Sequence, residues 1–182
     1  RSLAETVDVN PNETVIPGDV MIVDIESLDR YTKSKEVYEQ SVAGVISTKP
    51  TIVVGSGTTT STATMALIGR VPVNVSTENG PIETGDLLVT ASLPGHAMRY
   101  DPTKDDGGKI ISIVGIALES TEEPTDQIMV LLKSGWVNNR QQTIAKIQQD
   151  LLQVAQSEGV VLDNNPADLT VEANLQGDIL PI

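Results

Sequence analysis

His96 is the only histidine of the chain, and it follows a Pro-Gly turn with Ser92 before it and Asp101 after it. These residue types are those of a nucleophile, a general base and an orienting carboxylate. Their spacing along one turn carries no signal, because such triads are assembled in space from distant parts of a chain. The stretch reads as an exposed turn. "DPTKDDGG" (101–108) clusters aspartates with glycines, but it lacks the ligand spacing and distal bidentate glutamate of a calcium loop. "GSG" (55–57) is followed by a Thr/Ser tract with no lysine, so it is not a phosphate loop. Asn12-Glu13-Thr14 and Asn74-Val75-Ser76 match glycosylation acceptors, which matter only in a eukaryotic secretory setting. Cysteine is absent, which removes thiolate catalysis, disulfides and cysteine-based zinc sites. No cofactor and no metal site are expected.

Composition narrows the partners. Among 182 residues there is no phenylalanine, one Trp and three Tyr, so buried volume must come from Val, Ile, Leu and Ala. β-Branched aliphatics fit a pleated sheet better than a helix. A surface poor in aromatics does not suit stacking on bases or sugar rings. The formal net charge of −13 repels phosphate backbones and anionic membranes, so neither nucleic acid nor membrane is expected as a partner. No apolar run approaches membrane-spanning length, and no signal peptide is read. The chain reads as a mature soluble segment or as a piece of something longer.

The elements follow from the spacing of Gly and Pro. An acidic, turn-rich start ends at Pro17-Gly18, and aliphatic strands are expected at 19–25, 41–47, 51–55, 65–77, 86–92, 96–100, 109–118 and 127–133. The charged stretch 26–40 is a connection with room for one short strand, and 55–64 is a loop. Pro72 should sit at an edge or a bulge, since proline cannot donate to the ladder. The whole is expected to be mainly β, a compact barrel- or sandwich-like domain over 1–137.

One unit is written twice. "VIPGDVMIVD" (15–24) is similar to "PIETGDLLVTA" (81–91), each with Gly-Asp before an aliphatic strand. A basic, tyrosine-bearing stretch follows each, "DRYTKSK" and "MRYDPTK", and then a strand broken by glycine, "SVAGVIS" and "SIVGIALES". The turns Gly18-Asp19 and Gly85-Asp86 are therefore architecture: glycine supplies a backbone conformation other residues resist, and aspartate caps the turn. This settles the reading of His96, since the first copy of the turn has no histidine.

Beyond Trp136 the texture changes. Residues 138–158 are rich in helix formers, with Asn138 or Asn139 as a cap and Gly159 as a stop. Ile144, Ile147, Leu151 and Val154 make an apolar stripe at 3-4-3 spacing. Isoleucine at both core positions leans toward three-stranded packing, although docking on the chain's own sheet is an equal alternative. Residues 159–182 form a turn-rich tail.

The series "LAETVDV…VIPGDVMIVD…VAGVIS…GRVPVNVSTENGPIETGDLLVTASLPGHAM…IVGIALE…IMVLL" resembles a recurring phage and bacterial domain. It is similar to the autoproteolytic intramolecular-chaperone (G2 peptidase-like) domain of phage neck-appendage and tail-spike proteins and its relatives in bacterial surface fibres. The resemblance runs from residue 3 to residue 133. It implies a homotrimeric domain at the end of a fibre, partnered by itself and by the upstream fibre part of its parent chain, on a virion or cell surface. It also implies a self-cleavage just before an Asp-x-Ala-Glu element. That element falls on Ser2-Leu3-Ala4-Glu5, where Glu5 matches the glutamate and Ser2 stands at the position of the aspartate. Such a carboxylate attacks a neighbouring peptide bond or directs a water at it when burial raises its pKa toward neutral. Either the aspartate is missing, or the sequence starts inside the element and Arg1-Ser2 are foreign to it; on both readings the chain is a spent product or a relative that folds and assembles without cutting.

Overall fold

The computed structural model describes residues 2–27, 29–48, 52–54, 61–104 and 110–137, together with Gln149 and Gln153. Residues 1–143 make one body and 144–182 a second. The first body is mainly β. In the second, Gln149 and Gln153 are helical and exposed, and the rest of the expected 138–158 helix, its Ile144, Ile147, Leu151 and Val154 stripe and the 159–182 tail lie outside the described residues. No helix stands among the described elements.

The strands are β1 (Ser2–Val9), β2 (Val20–Val23), β3 (Arg30–Lys33), β4 (Val42–Ile46), β5 (Ile52–Val54) and β6 (Thr62–Ser76). They continue with β7 (Leu87–Thr90), β8 (Ala97–Arg99), β9 (Ile111–Ser112), β10 (Gly115–Ala117), β11 (Thr125–Leu132) and β12 (Trp136–Val137). Ten of them form one sheet in the order β11-β10-β7-β8-β6-β4-β2-β3-β1-β5. Two further pairings, β11–β6 and β6–β1, close it on itself. The result is two closed rings that share β6: β1-β3-β2-β4-β6 and β6-β8-β7-β10-β11. Closure leaves few open strand edges, which otherwise invite pairing with other chains. β9 and β12 form a separate two-stranded sheet.

The rings are the two copies of the repeat. In each, the strand after Gly-Asp pairs antiparallel with the next strand and with the glycine-broken strand. In each, the second strand runs parallel to an opening strand: Tyr31 lies beside Val9, and Ala97 beside Val75. β6 serves both copies. Its first half pairs with β4 and closes the first ring, as β11 does for β10 in the second. Its second half opens the second ring, as β1 opens the first.

The turns repeat bond for bond. Asp19 N–H donates to Ile16 O and Asp86 N–H to Glu83 O, both at 3.1 Å. Ile16 N–H donates to Asp19 Oδ2 and Glu83 N–H to Asp86 Oδ2, both at 2.9 Å. Gly18 and Gly85 hold φ of 94° and 100°, the left-handed third position of this turn, which an L side chain resists. The register does correct one reading of the repeat. The Arg-Tyr pairs 30–31 and 99–100 are not equivalent, because Lys33 opposes Met21 while Arg99 opposes Leu88. Lys33, not Arg30, is the counterpart of Arg99.

Other boundaries move for stated reasons. The acidic start is a strand, because Ala4, Val7 and Val9 are buried while Glu5 faces out, and β6 lies along its whole length. Thr62–Thr64 belong to β6 and not to the expected loop, since they pair with Thr6–Asp8; residues 55–60 lie outside the described residues. The expected strand at 109–118 is broken into β9 and β10, which join different sheets. Pro72 pairs with Met129 on β11, on a stretch of β6 between its last pair with β1, at Gly69, and its pair with β8, at Val75. There its missing N–H costs no ladder bond.

The core is aliphatic. Val20, Val45, Ala66, Val71, Val73, Val75, Leu88, Ala97, Ile128 and Val130 form one buried cluster that crosses both rings. Tyr38 and Tyr100 supply the aromatic contact, edge to face with ring centroids 6.3 Å apart.

Candidate functional site at the N-terminal strand

β1 positions the Ser2-Leu3-Ala4-Glu5 element. Ser2 lies opposite Gly69 and Ala4 opposite Ala66 on β6, while Ala4 also pairs with Val53 of β5. Alternation along the strand turns Ser2 and Ala4 inward, 8 % and 0 % exposed, and leaves Glu5 in solvent. Leu3, Ala4 and Glu5 are thus paired on both edges within the sheet, and Ser2 on one.

Ser2 lines a cavity of about 250 Å³ together with Gly18, Ser47, Thr48, Arg70 and Gln127. Arg70 is the one charged side chain among the described residues of that cavity. Glu5 is not among them, so the two positions of the acidic element face different surroundings. Ser2 brings a hydroxyl, and Glu5 is exposed where buried-carboxylate chemistry would need it covered. The geometry places Ser2 in the wall of a mixed cavity, with Ile46, Val71 and Pro72 beside the polar groups, and assembles no acid–base pair among its described residues.

Beside this cavity a polar network, buried at Asp19 and Asn74 and exposed at Gln127, connects the two repeats. Asp19, 2 % exposed, accepts from Asn74 Nδ2 at 3.0 Å and stands 3.8 Å from Lys33 Nζ. Asn74 Oδ1 accepts from Gln127 Nε2 at 2.9 Å, and the same Nε2 donates to Pro17 O at 3.1 Å. Sequence reasoning did not find this network. Its signal was an amide, Asn74, at a strand position flanked by valines, where a buried polar group demands partners.

Glu13 ties the loop after β1 to β3. Its carboxylate accepts from Thr32 Oγ1 at 2.7 Å and Lys33 N–H at 2.9 Å, and pairs with Lys35 Nζ at 2.8 Å. Partial burial pushes the Glu13 carboxyl up, but Lys35, the Lys33 N–H and Thr32 outweigh it and hold it below the usual glutamate value. The same contact with Glu13 raises Lys35.

The triad residues are not brought together as one. Ser92 binds the Glu78 carboxylate through its N–H and its hydroxyl. His96 Nδ1 lies 2.8 Å from Pro94 O within its own turn. Asp101 accepts from the Thr103 N–H at 2.9 Å and hydroxyl at 2.6 Å, which lower its pKa. Each group is engaged locally with other partners. Among the described residues no three of His, Cys, Asp and Glu are grouped to hold a metal ion, and no helix is long and apolar enough to cross a membrane.

Comparison with protein-family models, with curated proteins and with solved structures gives no match for this chain.

Proposed function

We propose that this chain is the trimerisation and intramolecular-chaperone-type domain of a phage tail or bacterial surface fibre protein. One observation carries the reading beyond the sequence resemblance. The element at which such domains join their fibre is the opening strand of the first ring, paired along its length with β6 and on its other edge with β3 and β5. A domain built around its own entry strand couples its folding to the register of whatever chain leads into it. Self-cleavage is the ancestral activity in this reading. Ser2 in place of the aspartate, and the exposure of Glu5, favour a descendant that folds and assembles without cutting.

The first test is solution mass by light scattering, on the full chain and on a version ending near Gly135. A trimer in both places assembly in the β body, and a trimer lost on truncation assigns it to the 144–154 stripe. A monomer in both overturns the trimeric reading. Cleavage is tested separately, with the parent residues restored before Leu3 and an aspartate at position 2. Mass spectrometry would find a product starting at residue 2 only if the element is competent.

A second reading is an adhesive module of a surface protein, without proteolysis. It is favoured by a groove of about 560 Å³ beside the tip between β2 and β3, where Ile25 is 93 % exposed and Val23 and Val37 nearly half. Exposed aliphatics clustered at a groove mark an interaction surface.

A further inference from the structure

The outer wall of the second ring is aliphatic, and only part of it is covered. The register sets Arg70, Leu131, Ile116 and Leu87 side by side across β6, β11, β10 and β7. Their neighbours along the strands, Val71, Val130, Ala117 and Leu88, fill the core, so by alternation this row faces outward. Two residues along β7 the same face holds Val89, which is buried with Met98 and Ile111, and Val137 of β12 packs against them. The row lies beyond that cover: Leu131 is 37 % exposed, and Ile116 and Leu87 are half-buried. Sheet positions that meet water are normally polar, so aliphatic residues in a row there mark an interaction surface.

The charges at the wall define what its partner brings. Arg70 ends the row and Lys133 follows β11; both are exposed, and among the described residues neither forms an ion pair. In a chain of net charge −13, free cations beside an apolar face match an acidic, aliphatic surface. The first ring carries such a surface. In the groove beside the β2–β3 tip, Ile25 is 93 % exposed, Val23 and Val37 are nearly half exposed, and Glu26 and Glu36 stand in solvent. Lys35, the cation among the described residues of that groove, is bound to Glu13 at 2.8 Å. Tip and wall lie on different rings, and both are exposed within the single chain.

We propose that the β2–β3 tip of one copy of this chain seats on the Arg70–Leu131–Ile116–Leu87 wall of the next, with Glu26 and Glu36 meeting Arg70 and Lys133. The inference rests on the trimeric reading and gives that trimer its interface. A contact between two different surfaces is heterologous, and it closes into a ring of three when successive copies are related by a third of a turn. The aliphatic contact supplies affinity, while the opposite charges select the partner face and fix its register.

The experiment is light scattering on the full chain from micromolar to several hundred micromolar, with circular dichroism to establish folding. It compares wild type, the wall reversal R70E/K133E, the tip reversal E26K/E36K and all four changes together. Wild type should be a trimer, and each reversal alone should weaken assembly about tenfold or more. The combined variant should recover the trimer, since opposite charges then face each other again. A trimer that survives either reversal, or a combined variant that stays dissociated, overturns the interface and leaves the fibre reading standing. A wild-type monomer throughout overturns both. If a reversal does not fold, I25S and L131S, one from each surface, decide instead: each should weaken assembly about tenfold. Wild-type assembly in either overturns the interface.

Discussion

Glu13 is a residue whose contacts make stability depend on pH. Its folded pKa is depressed, so it stabilises the native state above the unfolded glutamate value of roughly 4.3, and that contribution is lost as pH falls through the lower folded value. Glu13→Gln removes the charge from three donors, and should cost about 1 kcal/mol at pH 7 in urea unfolding. Once pH has fallen below the depressed folded value, the difference from wild type should shrink toward zero. A gap that persists unchanged at low pH would mean that the loop is held by packing and not by the carboxylate. Glu13 was legible in the sequence only as part of an acidic start, because its partners Thr32, Lys33 and Lys35 lie on another strand and its outlet.

At the scale of the element, the two glycine-broken strands test the repeat. Gly44 lies against the Ala66 carbonyl on β6, and Gly115 against the Leu131 carbonyl on β11. These are the equivalent strand pairs of the two rings. A methyl group at either place must push a backbone carbonyl aside, so Gly44→Ala and Gly115→Ala should each destabilise by about 2 kcal/mol or more. Thermal or urea unfolding of the two variants measures it. A near-neutral effect at one site alone would show that the repeats differ in packing there. The glycines were visible in the sequence as an echo. That they face carbonyls of equivalent strands was not visible, since only the ring closures bring β4 to β6 and β10 to β11.

The β body, with its two rings, should unfold as one. β6 belongs to both rings, and the buried aliphatic cluster crosses from one to the other. Neither ring closes without the shared strand. Urea unfolding followed by far-ultraviolet circular dichroism and by Trp136 fluorescence, which reports on the β9–β12 side, should give coincident midpoints. Separate midpoints would mean that the rings open independently and that β6 is a linker more than a common wall.

The sequence by itself determined the mainly β character, through aliphatic strands punctuated by Gly and Pro. It also determined the repeat, because a Gly-Asp turn needs the same two residue types wherever it occurs. Both are local properties. Only the tertiary structure decided that the acidic start is a strand, that one long strand is shared by two rings, and that Asn74 reaches Asp19 while Gln127 reaches Asn74 and Pro17. Those facts depend on which distant segments become neighbours, and alternation along a single strand does not encode its partners. For the same reason Ser92, His96 and Asp101, close in sequence, are bonded to Glu78, Pro94 and Thr103, while the twin turns Gly18-Asp19 and Gly85-Asp86 differ in burial although their residues are the same.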